Sequence, residues 1–425
     1  MGTQIRKVLN FNSDIGQAVT KTVIAGNLVF CSGVNGTDTK TDNIESLNIE
    51  QQTIIALDEI RKALIESNTN IDNIIRTVIY LRSMEDYQAF RKTEIDYYKK
   101  YAPNLITDPP VSKVIECNAF VKAETLIEID ITAVLSRDMP DWEVKKYPLS
   151  IAGIPQPYAK AAVIGNIVYL AGADGRNIET GKVTSGNIRE QVWSALENIK
   201  GTLRALGTTM DSIVDTVMLL TDLNNYASMR ETESEFFQSH ARRLVDDPPA
   251  STFIKTSSLA TPECKVEIQA TAVLSQDRCG WKVIKYPEWC GGKRLVIPWF
   301  DAGMPHLSKA VVVGDFILGG GCSARTAKSE ATIGTTITEQ MKVTLSVIKD
   351  TIEDAGGSME NIIQTFIMLK DIQDYQLMRK AEIEFYQQHA PRLVSEPPVS
   401  AVIQPYALAR PDYLIEMNAL SVITR

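Results

Sequence analysis

The chain has 425 residues, 44% of them hydrophobic and 23% charged, an ordinary globular balance with length enough for several cores of ~100 to 150 residues each. Its formal net charge of −8 argues against the clustered basic surface that non-specific nucleic-acid binding needs, so no nucleic-acid partner is expected. No apolar run reaches the ~18 residues of a membrane span and the first residues carry no apolar signal core, so no membrane partner and a cytoplasmic location are expected.

Near the N-terminus, Val23-Ile-Ala-Gly26-Asn27-Leu-Val-Phe-Cys-Ser32-Gly33 reads as two β runs joined by a tight Gly-Asn turn. Gly33 then stands just past the second run. It reads either as turn geometry or as backbone held open to a ligand. A helix is predicted next, because Leu57, Ile60 and Leu64 recur at i, i+3 and i+7. It should stop at Asn68, a residue that tolerates the left-handed conformation closing a helix. The β run Thr77-Val-Ile-Tyr-Leu81 follows, and Ser83 is a candidate N-cap for a second helix. That helix carries Tyr87, Arg91 and Glu94, and the last two, three residues apart, read as an ion pair at the surface or an interface. Asp108-Pro-Pro-Val-Ser112 then suits the start of a strand, since proline lacks the amide a central ladder needs. In the closing run, Ile127, Ile129 and Ile131 alternate with Glu128, Asp130 and Thr132, which predicts one apolar face and one polar face.

The whole pattern occurs three times. Ser112 recurs as Ser251, 139 residues on, and as Ser400, 149 residues further. Gly33 recurs as Gly172 and Gly321, the helix stop as Gly207 and Gly356, the N-cap as Asp222 and Asp371, and the helical trio as Tyr226, Arg230, Glu233 and Tyr375, Arg379, Glu382. The chain is therefore one module written three times, with domains expected at 1–138, 139–277 and 278–425. Trp142 to Pro148 and Trp281 to Pro287 repeat as linkers, and the third copy gains ten residues around 288–300, readable as a lid or an elaborated linker. The expected class is α/β: three tandem domains, each a mixed β-sheet with two helices on its apolar face. The polar faces need partners, so closure as an intramolecular pseudo-trimer is expected, the chain being a monomeric pseudo-trimer or a low-order homo-oligomer. Six cysteines without a C-x-x-C pair and only three histidines argue against a disulfide frame or metal site, and no metal or cofactor is expected.

In order and spacing, Gly26 to Gly33, Thr77 to Leu81, Pro110-Val-Ser112 and Leu126-Ile-Glu128-Ile, with their counterparts, resemble the RidA (YjgF/UK114) family in all three copies. The resemblance implies a chorismate-mutase-like fold, clefts between modules that hold a small-molecule ligand, and hydrolysis of reactive imines or enamines to ketoacids and ammonia. It places the family's catalytic glutamate on Glu128, Glu267 and Glu416. It places the family tyrosine on Tyr158 alone and the serine before the glycine on Ser32 alone. Gly33, Gly172, Gly321, Ser112, Ser251 and Ser400 complete the candidate substrate-binding set. The carboxylate-clamping arginine of active deaminases falls on Val111, Ala250 and Val399, so the clamp is missing. Lys113, on the same strand face as Val111, is the expected partial substitute. Lys21, Lys160 and Lys309 also recur, and with the serines they offer a nucleophile-and-base alternative beside the reading of a solvated strand-edge charge. The functional expectation is a hydrolytic, deaminase-like enzyme on C=N or related bonds of a metabolite other than a simple 2-imino acid. The alternative is a noncatalytic metabolite-binding protein of the same superfamily, and a ribonuclease activity is disfavoured by the acidic charge.

Overall fold

Each repeat begins with a hairpin turned by a glycine of positive φ: Gly26 at +59°, Gly165 at +56° and Gly314 at +59°. Only glycine adopts that first turn position without strain. The computed structural model describes residues 5–12, 18–38, 43–44, 48–137, 139, 142–274, 282–285, 308–325 and 331–423. Domain 1 contains β1 (Ile5–Asn12), β2 (Ala18–Ala25), β3 (Leu28–Asn35), α1 (Ile49–Glu66), β4 (Ile74–Leu81), α2 (Tyr87–Tyr101), β5 (Val111–Glu116) and β6 (Ile127–Val134). Its strand order is β1-β2-β3-β6-β4-β5, antiparallel except for the last pair. That parallel pair requires a crossover, which α2 supplies.

Domain 2 repeats this with β7 (Val144–Ile151), β8 (Ile154–Ile164), β9 (Ile167–Leu170), α3 (Ile188–Ala205), β10 (Ile213–Leu220), α4 (Tyr226–His240), β11 (Ala250–Lys255) and β12 (Val266–Val273). Domain 3 has β13 (Lys282–Lys285), β14 (Ser308–Val313), β15 (Phe316–Gly319), α5 (Ile337–Asp354), β16 (Ile362–Leu369), α6 (Tyr375–His389), β17 (Val399–Gln404) and β18 (Ile415–Val422). The expected insertion at 288–300 lies outside the described residues. Cys31, Cys117, Cys264 and Cys322 are buried free thiols. No helix among the described residues is long and apolar enough to cross a membrane.

The first helix of each domain ends where its left-handed residue stands: Asn68 has φ +60°, Gly207 +76° and Gly356 +86°. Ser83, Asp222 and Asp371 cap single 3₁₀ turns that lead into the second helices, one step earlier than the sequence suggests. The stripes Leu57, Ile60, Leu64 and their counterparts are buried against the sheets, as are Ile127, Ile129 and Ile131.

The other sheet faces are also covered, because the domains pack on one another. Just after each Pro-Pro pair, one domain meets the second hairpin strand of the next. Val111 of β5 pairs with Ala159 of β8, and Ala250 of β11 with Ser308 of β14. Three donors stitch these junctions: Ala159 N to Pro110 O at 2.9 Å, Ser308 Oγ to Pro248 O at 2.5 Å and Thr20 Oγ1 to Pro397 O at 2.6 Å. The third joins domain 3 back to domain 1. A mixed apolar cluster, including Phe30, Tyr169 and Phe316, draws on all three domains.

Candidate active site between the domains

Each glutamate opens its domain's last strand, paired on one side with the strand that follows the hairpin glycine. Glu128 lies opposite Asn35 and Tyr80, Glu267 opposite Asp174 and Leu219, and Glu416 opposite Ser323 and Met368. This register explains the recurring glycine. A Cβ at Gly172 would collide with the Glu267 carboxylate, one at Gly321 would lie 2.5 Å from Glu416 Oε1, and one at Gly33 would lie 2.6 Å from Ser400 O and 3.5 Å from Glu128 Oε1. The space reserved is thus filled by the protein's own carboxylate and by the neighbouring domain.

Burial in these junctions keeps the carboxylates from ionising easily. For Glu128, burial and then Asp130 push the pKa well above the usual range, against Arg379 and the Val402 amide. Burial and then Asp174 push Glu267 up to about 7, against Lys113, Arg176 and Arg91. Burial pushes Glu416 up to about 8, against Arg230. Each glutamate is thus opposed by a second-helix arginine of a neighbouring domain, Arg379 for Glu128, Arg91 for Glu267 and Arg230 for Glu416, and Glu267 also by Arg176 of its own domain. Glu128 and Glu416 are buried, whereas Glu267 keeps more of its surface open.

The arginines on the second helices are part of these clefts. Arg91 donates Nη1 to Glu94 at 2.7 Å and Nη2 to Ser112 Oγ at 2.7 Å. Arg230 does the same with Glu233 at 2.9 Å and Ser251 at 3.1 Å, and Arg379 with Glu382 at 2.6 Å and Ser400 at 3.1 Å. The side chains of Arg91 and Glu94 are only 7% and 4% exposed, so this is a buried interface pair and not a solvated helix-face pair. The three serines are therefore acceptors for arginine. Lys21, whose strand borders domain 3 and not Ser112, pairs with Glu66 at 2.8 Å; the lysine nearest Ser112 by strand pairing is Lys160, next to Ala159, the partner of Val111.

The junction of domains 1 and 2 is the most elaborated. Tyr158 lies with its ring 5.4 Å from the Arg91 guanidinium, and burial pushes its hydroxyl up to about 12, keeping it a neutral donor. Arg176 grips Asp174 through Nε at 2.9 Å and Nη2 at 2.7 Å. Tyr158, Lys160, Gly172, Asp174 and Arg176 line a small cavity on the domain 2 side of this junction. Ser32 accepts Gln364 Nε2 at 2.8 Å across the domain 1 to domain 3 junction. Lys113 does not line the Tyr158 cavity; it faces a separate space on the inner sheet faces. Asp174 and Arg176 escaped the sequence reading because Asp-x-Arg occurs there in one copy only, while the repeated Arg, Glu and Ser spacing was the available signal for the buried arginines. Among the described residues no three His, Cys, Asp or Glu side chains converge as a metal site.

The sequence model of the endoribonuclease L-PSP family matches residues 15–135, 152–274 and 302–423. A RutC family protein of Pyrococcus abyssi is 33% identical over 116 residues, 27% of this chain and 85% of its own length. The 2-iminobutanoate/2-iminopropanoate deaminase of Escherichia coli is 30% identical over 117 residues, 28% of this chain and 87% of its own. A chorismatase crystal structure overlays 83% of this chain and 93% of that one with a TM-score of 0.52 at 12% identity, a likeness of fold alone. Matched once by each domain, this chain belongs to the endoribonuclease L-PSP, or RidA/YjgF, family.

Proposed function

We propose that the protein is a hydrolase of C=N or related bonds whose working cleft is the one between domains 1 and 2, with Glu267 as its acid and base. The observation that carries this reading is the Glu267 carboxylate, held at about pKa 7, beside the cavity lined by Tyr158 and Gly172. A group titrating near the working pH both takes and gives a proton efficiently. As carboxylate, Glu267 accepts a proton from water as the oxygen bonds to the imine carbon and the π electrons move to nitrogen. As acid, it returns that proton to nitrogen, giving a carbinolamine; it then takes the proton of the new hydroxyl and passes it to the same nitrogen as the C–N bond breaks, and a carbonyl compound and ammonia leave. Tyr158 supplies a neutral hydroxyl donor to the same cleft. The family likeness, including relatives named as imine deaminases, supports the reaction class.

The substrate inferred is not a simple 2-imino acid. Val111, Ala250 and Val399 offer no charge, and Arg91 and Arg176 are each already neutralised by an adjacent carboxylate. A clamp needs a guanidinium fork free to hold the substrate carboxylate with two charged hydrogen bonds. Ammonia release from imines generated in situ, both neutral ones and 2-iminopropanoate, tests the reading. Neutral imines should be hydrolysed faster than 2-iminopropanoate. Glu267→Gln should lower the rate about 10²- to 10⁴-fold, while Glu128→Gln and Glu416→Gln change it little. Ammonia release from no imine would favour a binding protein without chemistry, and three equal losses would contradict a single working cleft.

A further inference from the structure

A second space lies apart from the clefts, where the inner faces of the three sheets converge. Residues of all three domains line it. Equivalent strands bring equivalent positions to it. Lys113, Val78 and Asp130 stand in a row across β5, β4 and β6; Thr252, Val217 and Gln269 across β11, β10 and β12; Ala401, Phe366 and Asn418 across β17, β16 and β18. Two residues earlier on the middle strands come Arg76, Asp215 and Gln364. Three identical subunits would place three lysines or three arginines on this axis. The tandem chain places one of each, and gives the other positions to Thr, Ala, Asp and Gln.

The polar groups here are unevenly satisfied. Asp130 accepts the Gly33 amide at 2.8 Å and the Tyr80 hydroxyl at 3.1 Å, and Asp215 is held by Thr271 and the Thr216 amide. Gln364 donates to Ser32 and Asn418 to Thr252. Lys113, only 5% exposed, has no hydrogen bond or ion pair among the described residues. Arg76 has one long contact, Nη2 to Gln269 Oε1 at 3.4 Å, with its guanidinium 5.3 Å over the Tyr169 ring and its buried Nε without an acceptor. Asp130 and Asp215 face the two cations across the space without a hydrogen bond to either, so neither cation has a carboxylate in direct contact. The remaining wall is apolar, with Phe30, Ile115, Ile254, Phe316 and Leu318, and with Tyr80 stacked on Phe366 at 5.6 Å.

We propose that this axial cavity is a binding site, separate from the clefts, for a small monocarboxylate with an apolar or aromatic body, its carboxylate held between Lys113 and Arg76. An unpaired buried cation is costly, and an anion that completes it gains charged hydrogen bonds in a low-dielectric space. Binding is then coupled to protonation of Lys113. Burial and then Arg76 push that amine down to about 7, against Asp215, Glu267 and Asp130, so bound carboxylate favours its charged form. The two aspartates, each pushed up to about 6 by burial, add negative charge on the way to neutrality, and the affinity for a carboxylate falls as pH rises.

Calorimetric titration of the full chain with benzoate, phenylacetate, 3-methylbutanoate and inorganic phosphate tests this. One of the carboxylates should bind saturably and more tightly than phosphate. Lys113→Met and Arg76→Gln should each weaken it by at least about tenfold, and Arg176→Gln, which removes a cleft cation, by less than about twofold. Between pH 7 and 9 the intact chain should lose up to about tenfold in affinity per unit, a decline that Lys113→Met abolishes. Thermal unfolding guards against misfolding, since exchanging an unpaired buried lysine for methionine should not lower the midpoint. Absence of carboxylate binding up to ~10 mM, binding that survives both axial substitutions, or binding lost in Arg176→Gln overturns the proposal.

Discussion

Three carboxylates buried in three junctions make stability depend on pH in a direction opposite to that of ordinary salt-bridged acids. Glu416, buried and opposed only by Arg230, has its pKa pushed up to about 8. Between its unfolded value near 4.5 and about 8, the folded state binds this proton more tightly than the unfolded chain does. Its contribution to stability is therefore greatest below that window and is lost as pH rises through it, by at most about 1.4 kcal/mol per pH unit. Glu416→Gln keeps the shape without the charge. The variant should match the parent at pH 4 and exceed it by a few kcal/mol at pH 9, read by urea unfolding at both pH values. An equal gain at both pH values would show that packing, and not ionisation, is responsible. The candidate glutamates were legible in the sequence, because they recur on the polar face of the closing strand in all three copies and the family resemblance falls on them. Their elevated pKa values were not, because desolvation comes from a domain more than a hundred residues away.

At the scale of single elements, the helix stops illustrate how a local rule survives folding. Asn68, Gly207 and Gly356 occupy one position and all take positive φ, because a left-handed residue there lets the next amides bond back to the last turn. A Cβ at Gly207 would meet nothing within 4 Å, so only backbone strain opposes a side chain. Gly207→Ala should therefore cost about 1 kcal/mol, and Gly207→Asn less, since domain 1 already uses asparagine at this site. Denaturant midpoints of the two variants check the order. The second helices show the opposite case. Arg91 and Glu94 have the spacing of a solvated pair, but α2 lies against a domain junction and Ser112 takes the spare guanidinium nitrogen. Helical spacing alone cannot distinguish an exposed face from one covered by another domain.

For the molecule as a whole, the donors from Thr20, Ala159 and Ser308 to the three Pro-Pro segments make one type of junction three times, ending where it began. The chain is proposed to supply by itself what three subunits would. Light scattering should give one chain of 47.1 kDa, or a simple dimer of it, as the unit in dilute solution. An obligate trimer of chains would contradict closure within one polypeptide. A tandem chain also lets equivalent positions diverge, which explains Tyr158 and Asp174 at one junction, Ser32 at another, and single cations on the axis.

The repeat, the hairpin turns, the amphipathic helices, the two-faced closing strand and the family are local or periodic features, and the sequence determined them by itself. Turn chemistry and side-chain periodicity depend only on neighbours along the chain. Tertiary structure alone decided which arginine stands against which glutamate, that Gly172 and Gly321 make room for carboxylates and Gly33 for the backbone of the next domain, and that Lys113 faces the axis and not the Tyr158 cavity. Those outcomes depend on how three sheets press their polar faces together, and spacing within one copy carries no information about the face opposite.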